Sequence, residues 1–217
     1  MRAARLLQQV TGTGLGAEIH VQKVLPVGGG IGGGSSDAAT TLVALNRLWD
    51  LGLTLDELAR LGLALGADVP VFVRGEAAWG EGVGEELTAV QLPEPWYLVL
   101  VPPCQVPTAA VFGHPALTRD SPAVTLADFL AGDRINDCLS VVGDAYPPVA
   151  AALAWLRGEG EARLTGTGAC CFTELPDHQS AQSALERLPP GLDGFVARGL
   201  NRSPLLDRLA AEGQRGI

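Results

Sequence analysis

A run of glycines followed by serines is the strongest candidate for chemistry in the sequence. In the stretch PVGGGIGGGSSDAAT, six of the seven positions from Gly28 to Gly34 are glycine, and Ser35 and Ser36 follow. Glycine costs backbone entropy on folding, so it is used where the chain needs a positive φ or must approach a ligand closely. The residues that follow have a helical pattern, and a helix N-terminus offers unpaired N–H groups to an anion. The stretch therefore predicts a phosphate-binding loop.

The residue types narrow the kind of loop. A Walker loop needs a lysine before its Ser/Thr, and Gly34–Ser36 contains none, so this kind is excluded. Gly28, Gly30 and Gly33 match the dinucleotide fingerprint formally, but Asp50 stands at the end of a predicted helix where that fingerprint needs the end of a strand. The remaining alternative is a flexible, turn-rich connection that binds nothing.

Two further segments carry candidate residues. Asp68 in GADVP offers a carboxylate for general-base chemistry, although from the residues alone a helix or turn cap before Pro70 is favoured. The segment Thr165-Gly166-Thr167-Gly168 is by itself typical of a turn at a strand end. His20, His114 and His178 are scattered without a partner at metal-ligand spacing, so no histidine is predicted to be catalytic.

Composition limits the partners and the compartment. The net charge is −9 and Lys23 is the one lysine among fifteen basic residues, so no basic stripe can neutralise a nucleic-acid polymer. The four cysteines show no Cys-x-x-Cys spacing, which indicates reduced thiols. No apolar run approaches the roughly 20 residues of a membrane span, and no signal-peptide pattern is present. We expect a cytoplasmic protein with neither membrane nor nucleic-acid partners.

Alternating strands and helices are predicted to hold these residues. Before the glycine loop, AEIHVQKV alternates as a half-buried strand, and after it SSDAATTLVALNRLW predicts a helix with a serine N-cap. Thr54 and Glu57 have the spacing of a capping box, and Gly66 is a plausible stop for that helix. Further along, helices are predicted near Asp144–Arg157 and Gln179–Leu188, and strands at WYLVLVPP, GEARLTGTGACCFTEL and GFVARGL.

Several motifs in order along the chain resemble the GHMP kinase superfamily. They are LPVGGGIGGGSSDAATTLVALNRLW, LGADVPVFVRGEAAWGEGVGEELT, NDCLSVV, ARLTGTGACCF and GFVARGLNRSPL. The resemblance implies an α+β fold of two domains, an N-terminal ATP-binding domain at 1–93 and a C-terminal, α/β-sandwich-like domain at 94–217, with the weak boundary near Pro93. It implies ATP-dependent phosphorylation of the 2-hydroxyl of a cytidine diphosphate-linked methylerythritol, a small-molecule step in non-mevalonate isoprenoid biosynthesis.

The same resemblance assigns roles residue by residue. Asp68 matches the catalytic aspartate, which orients and deprotonates the substrate hydroxyl, and Thr165, Gly166, Thr167 and Gly168 match a loop that closes beside the phosphates. Ser36, or else Ser35, is implied to direct its hydroxyl toward Mg²⁺ or the phosphates, and either serine is alternatively only the N-cap. The residues matching the ATP-binding loop are Pro26, Val27, Gly28, Gly29, Gly30, Ile31, Gly32, Gly33, Gly34, Ser35 and Ser36.

The sequence also departs from the family pattern. Asn136 and Asp137 match the start of an Asn-Asp motif, but Leu139 stands where an acidic residue is common, so loop capping is the alternative reading of this segment. Family members begin with a lysine-bearing segment that has no counterpart here, and Met1 aligns inside a family helix. The expectation is an N-terminal truncation, which leaves open the activity of this chain. The alternatives are another GHMP small-molecule kinase or a non-catalytic nucleotide-binding remnant.

Overall fold

The computed structural model describes residues 1–132 and 134–213. In chain order the helices are α1 (Arg2–Thr11), α2 (Gly33–Leu48), α3 (Leu55–Leu63), α4 (Val69–Arg74), α5 (Thr108–Phe112), α6 (Leu126–Ala131), α7 (Cys138–Ala145), α8 (Pro147–Leu156), α9 (His178–Glu186) and α10 (Pro204–Gly213). The strands are β1 (Ala78–Glu81), β2 (Glu86–Ala89), β3 (Trp96–Val101), β4 (Arg163–Leu164), β5 (Cys171–Leu175) and β6 (Asp193–Arg198).

The chain forms two compact units that are not two consecutive halves. Unit 1 contains Met1–Leu25, Gly32–Leu92 and the chain from Leu200 onward, whereas unit 2 contains Pro26–Ile31 and Pro93–Gly199. The first half of the glycine stretch therefore folds with the C-terminal part of the sequence. Residues 214–217 of the expected second domain lie outside the described residues.

Unit 1 is built on packed helices. Leu7 of α1, Leu42 of α2, Leu58 of α3 and Val73 of α4 are at most 1% exposed and form one core. The predicted capping box of α3 is confirmed, because the Glu57 backbone N–H donates to Thr54 Oγ1 at 3.2 Å and the Thr54 N–H donates to Glu57 Oε2 at 2.8 Å. The hairpin of β1 and β2 completes this unit.

The segment leading into α2 differs from the prediction. The residues AEIHVQKV do not form a strand: Ile19, Val21 and Val24 are exposed, and no other segment of the described chain forms a ladder with them. Alternation alone does not make a strand without a hydrogen-bonded neighbour. Neither serine is the N-cap, because α2 begins at Gly33 with Gly32 as N-cap at φ 69°, so the serines lie within the first helical turn.

The end of α3 also differs from the prediction. The helix closes at Ala64, in right-handed helical conformation, rather than at Gly66. The Ala64 and Leu65 N–H groups donate to Leu61 O and Gly62 O at 3.2 and 2.8 Å, which tightens the last turn. These i→i+3 bonds satisfy the final carbonyls without a left-handed glycine.

Unit 2 is an antiparallel sheet with helices packed against it. The strand order is β4-β5-β3-β6, and α8 and α9 contact the sheet. Leu98 and Leu100 of the predicted strand WYLVLV are fully buried in a core with Val142, Val149 and Leu156 from the helices. The segment GEARLTGTGACCFTEL, predicted as one strand, forms the two strands β4 and β5, and residues 165–170 connect them. The α+β fold expected from the sequence is confirmed.

No single helix of the described residues has both the length and the apolar content to cross a membrane. Helices α7 and α8 reach that length and apolar content only when taken together, and they bend by 115° at their junction. Val142 of α7 and Val149 of α8 lie in the core of unit 2.

A buried threonine in β5 provides a test of this packing. Thr173 is 1% exposed and its Oγ1 has no hydrogen-bond partner among the described residues. A buried unpaired hydroxyl costs free energy, so we expect Thr173→Val to raise the free energy of unfolding by up to about 1 kcal/mol.

The matched variant is Thr54→Val, which removes a threonine hydroxyl that is hydrogen-bonded: Thr54 Oγ1 accepts from the Glu57 N–H and donates to Glu57 Oε2. It should lower the unfolding free energy by about 1 kcal/mol. Urea denaturation of both variants provides the comparison, and a Thr173→Val protein less stable than the parent would show that the hydroxyl is stabilising.

Candidate functional site

The first glycines of the loop are held in place by the connection between β4 and β5. The Gly29 carbonyl accepts hydrogen bonds from Thr165 Oγ1 at 2.8 Å and from the Cys170 backbone N–H at 3.1 Å. Thr165 Oγ1 also lies 2.9 Å from Cys170 O, so the single hydroxyl hydrogen is shared between the two carbonyls. All three residues belong to unit 2. Two segments singled out in the sequence, 26–31 and 165–168, are therefore in direct contact, and we call this pair of hydrogen bonds the Gly29 lock.

The contact is close enough to require glycine. A Cβ on Gly29 would lie 2.6 Å from Cys170 Sγ, and a Cβ on Gly30 would lie 2.4 Å from the Thr165 carbonyl oxygen. Gly30 also has φ +75°, in the left-handed region. Two physical reasons for glycine coincide at this position, a steric one and a conformational one.

The segment Thr165–Gly168 is a turn stabilised by its own backbone. The Gly168 N–H donates to Thr165 O at 2.7 Å, and the Thr165 N–H donates to Cys170 O at 3.0 Å. Thr167 Oγ1 lies 3.0 Å from Thr108 Oγ1, at the first residue of α5. The turn predicted from the sequence is present, and it also holds the glycine loop.

Asn136 fixes the same turn from the side of α7. Its Nδ2 donates to Gly166 O at 2.8 Å and to Leu164 O at 3.2 Å, and its Oδ1 accepts from the Cys138 N–H at 3.0 Å. The alternative reading of this segment, loop capping, is therefore what the structure shows. The partners Leu164 and Gly166 are 28 and 30 residues distant in sequence, so no local pattern indicates them.

The second half of the glycine stretch starts α2 in unit 1. Gly32 has φ +69°, and a Cβ there would lie 2.7 Å from the tip of the Phe72 ring, so a larger residue would be strained and would displace that ring. Ser36 donates its backbone N–H to Gly32 O at 2.9 Å, and no side-chain hydrogen bond of Ser35 or Ser36 is found among the described residues. Both hydroxyls are half-buried in the first turn of the helix and are not used for capping.

Lys23, the one lysine of the chain, forms an ion pair with Asp37. Its Nζ donates to Asp37 Oδ2 at 2.6 Å, and both side chains remain more than 40% exposed. Exposed pairs of this kind contribute little stability. Together with Gly34, these two residues line a cavity of about 500 Å³ in unit 1.

Asp68 stands directly before α4, but its carboxylate does not cap the helix. The residue has right-handed helical backbone angles, and its side chain makes no capping hydrogen bond. It is exposed, and neither a hydrogen bond nor an ion pair to it occurs within the described ranges. A Cβ on Gly84, in the β1–β2 turn, would lie 3.4 Å from Ala67 O, so this turn packs beside Asp68. The structure thus leaves the carboxylate available for a ligand.

The histidines have local partners or rings beside them. His20 pairs with Glu18 at 2.8 Å, and His178 meets the Trp96 ring edge-on at 4.6 Å between centroids. Among residues 1–132 and 134–213, no three His, Cys, Asp or Glu side chains form a group that could hold a metal.

Two buried cysteines lie under the Gly29 lock. Burial raises the pKa of the Cys170 thiol to about 11, and burial, with Cys170 and Cys104 nearby, raises the pKa of Cys171 to about 12. All four cysteines are free. These thiols therefore act as apolar packing groups at neutral pH.

We expect Gly30→Ala to disrupt the loop contact. Gly28 provides the matched control, because it also has a positive φ, +78°, but no atom lies within 4 Å of the place a Cβ would take there. Gly28→Ala should cost about 1 kcal/mol for backbone strain alone, and Gly30→Ala at least twice as much because the Thr165 carbonyl must also move. Denaturant unfolding of both variants tests this, and equal losses would show that the steric contact is unimportant.

The thiols should differ in reactivity. At pH 8 a thiol of pKa about 11 is only about 0.1% thiolate, so we expect Cys170 and Cys171 to resist a disulfide reagent in the folded protein. The partly buried Cys104 should react first, and all four should react in denaturant. In a Cys104→Ser variant the fast phase should disappear, and rapid reaction of the remaining thiols would contradict their burial.

Comparisons with known proteins identify the family. Residues 1–76 match the model of the GHMP kinases N terminal domain, and residues 124–190 match that of the GHMP kinases C terminal domain. The chain is 55% identical to 4-diphosphocytidyl-2-C-methyl-D-erythritol kinase of Halorhodospira halophila over 100% of the chain and 76% of the relative. It is 56% identical to the enzyme of that name from Shewanella loihica, over 96% of this chain and 74% of the relative.

Solved structures share the fold. A crystal structure of 4-(cytidine 5'-diphospho)-2C-methyl-D-erythritol kinase matches with a TM-score of 0.78 and 30% identity, over 91% of this chain and 75% of that chain. Homoserine kinase from Cytophaga hutchinsonii shares the fold, with a TM-score of 0.60 and 18% identity, over 93% of this chain and 75% of that chain. The chain therefore belongs to the GHMP kinase family, in the branch of the 4-diphosphocytidyl-2-C-methyl-D-erythritol kinases.

Proposed function

We propose that the protein transfers the γ-phosphoryl group of ATP to the 2-hydroxyl of 4-diphosphocytidyl-2-C-methyl-D-erythritol, a step of isoprenoid precursor biosynthesis. The observation that carries the proposal is the Gly29 lock, which fixes a glycine loop of the kind that approaches phosphate. The names of relatives 55% and 56% identical supply the substrate. The products are ADP and the 2-phosphate.

The glycine loop is proposed to bind the ATP phosphates through its backbone. Positive φ at Gly28, Gly30 and Gly32 changes the direction of successive peptide N–H groups, and α2 follows with its unpaired N–H groups and positive dipole end. Such a site needs no lysine, which suits a protein of net charge −9. The proposed loop comprises Pro26, Val27, Gly28, Gly29, Gly30, Ile31, Gly32, Gly33, Gly34, Ser35 and Ser36.

The Thr165–Gly168 turn is proposed to close beside these phosphates. Gly166 is exposed and lies at φ +48°, so its backbone is open to a ligand. The hydrogen bonds to Gly29 and the close approach at Gly30 support this role, because they join the turn to the first half of the loop, Pro26–Ile31, within unit 2.

Asp68 is proposed as the general base. Its uncommitted carboxylate accepts the proton of the 2-hydroxyl as that oxygen forms a bond to the γ-phosphorus, and the bond from this phosphorus to the β-phosphate oxygen breaks to release ADP. The exposure of Asp68 and the absence of a capping role support the assignment.

Mg²⁺ is proposed to accompany ATP, with the Ser36 hydroxyl as its protein ligand and Ser35 as the alternative. The donor chemistry fits, because a hydroxyl oxygen suits a hard cation and the structure shows neither serine used as a cap. Mg²⁺ neutralises charge on the phosphates during transfer. The hydroxyls of both serines lie in the first turn of α2, where a hydroxyl could contact either a phosphate oxygen or the cation.

The proposal also includes the domain boundaries, the partners and the cellular compartment of the protein. We propose an N-terminal ATP-binding domain at 1–93 and a C-terminal domain at 94–217, a small-molecule substrate, and neither a nucleic-acid polymer nor a membrane as partner. Four free cysteines support a reducing cytoplasmic location.

The decisive variant is Asp68→Asn. We expect ADP release to fall by about 10²- to 10⁴-fold because the general base is lost, while ATP binding measured by calorimetry stays within about twofold. Asp56→Asn is the matched control, since Asp56 is an exposed aspartate of α3 paired with Arg74 at 3.2 Å. Unchanged turnover in Asp68→Asn would remove this residue from the mechanism.

The substrate is tested separately with purified protein, MgATP and a panel of alcohols. Turnover is expected with the cytidine diphosphate-linked methylerythritol and not with homoserine, mevalonate or a sugar. Preference for one of those would indicate another GHMP kinase activity, and ATP binding without any turnover would indicate a nucleotide-binding protein.

A further inference from the structure

We infer that Asn136 is a positioning residue for nucleotide binding, acting through the Gly29 lock without touching the nucleotide. The inference rests on the proposed function, because it assigns the lock to the phosphate site. Asn136 lies before α7, and its amide nitrogen reaches the carbonyls of Leu164 and Gly166, which flank Thr165 on both sides. Thr165 in turn donates to Gly29 O.

The orientation of the Asn136 amide follows from its partners. Two carbonyl oxygens face one end of the group, and a backbone N–H faces the other. Only an amide with Nδ2 toward Leu164 and Gly166 and Oδ1 toward Cys138 satisfies all three partners. Both Nδ2 hydrogens are thereby used, so the side chain is held at both ends.

This arrangement fixes the direction of the Thr165 side chain. Asn136 Nδ2 binds the peptide unit before Thr165, through Leu164 O, and the peptide unit after Gly166, through Gly166 O, so the Thr165–Gly166 segment is held at both ends. The Thr165 hydroxyl is consequently held 2.8 Å from Gly29 O. If the Asn136 donor is lost, the turn is released and the glycine loop loses one of its two locking hydrogen bonds.

A purely structural role makes a different prediction. Asn136 also accepts from the Cys138 N–H at the start of α7, where Asp137 makes no side-chain capping hydrogen bond. If capping were its whole role, variants would lower stability without changing nucleotide affinity. The two roles can be separated with Asn136→Asp. An aspartate keeps an oxygen that accepts from the Cys138 N–H, but it loses the amide that donates to Leu164 O and Gly166 O.

The test compares Asn136→Asp with Asn46→Asp. Asn46 is a matched control, because its Nδ2 donates to Leu53 O at 2.9 Å and its Oδ1 accepts from the Leu53 N–H at 3.0 Å, in unit 1. It lies 13 residues beyond the start of α2, about 20 Å along the helix. Both variants replace donated hydrogen bonds by carboxylate–carbonyl repulsion.

For Asn136→Asp we expect the KM for ATP to rise about tenfold or more at pH 8, with the larger part of the defect in KM rather than kcat. Asn46→Asp should leave the KM for ATP within twofold even if it melts at a lower temperature.

Hydrogen exchange in the nucleotide-free protein separates this inference from the proposed function. The Cys170 and Thr165 amides, which donate within the lock and the turn, should exchange faster in Asn136→Asp than in the parent and be unchanged in Asn46→Asp. Unchanged exchange together with an unchanged KM for ATP would overturn the inference. A parent protein that binds no ATP would instead refute the proposed function, and the exchange result would still decide whether Asn136 controls the loop.

Discussion

The Gly29 carbonyl is the point on which the candidate site depends. It accepts from the Thr165 hydroxyl and from the Cys170 backbone, so the glycine loop has a fixed conformation where its composition alone would give it freedom. The backbone entropy of these glycines is therefore lost when the protein folds, and not when a ligand binds. Preorganisation of this kind improves binding by reducing the ordering that the ligand must impose.

An acidic protein can bind phosphate in this way because the attractive groups are backbone dipoles. The net charge is −9, and the single lysine is engaged with Asp37. Backbone N–H groups do not titrate, and the partial positive charge on the hydrogen is present at every pH. Their attraction for an anion therefore depends only on how they are oriented. In the proposed phosphate site, the left-handed glycines and the start of α2 are the groups that would provide that orientation.

Local features were predictable from the sequence and long-range ones were not. The capping box of α3 was found because Thr54 and Glu57 are three residues apart, and the central strand because its apolar residues are continuous. The prediction of a strand at AEIHVQKV was wrong, because a strand needs a neighbouring strand to hydrogen-bond with, and an alternating pattern does not show whether one is present. The glycine run was singled out by residue type and Asp68 by the family resemblance, and the roles of both are proposals. The partners of Asn136 and of Gly29 lie far along the chain, where no local pattern indicates them.

The distance along the chain between Gly29 and Thr165 has a consequence for how the molecule is made. The Gly29 carbonyl and the Thr165 hydroxyl are separated by 136 residues, and the chain from Leu200 onward returns to unit 1. Contacts of such high sequence separation require closure of long loops and form slowly. During synthesis, the ribosome must therefore release most of the chain before the glycine loop acquires its bound-ready shape, so the loop is among the last parts of the protein to mature.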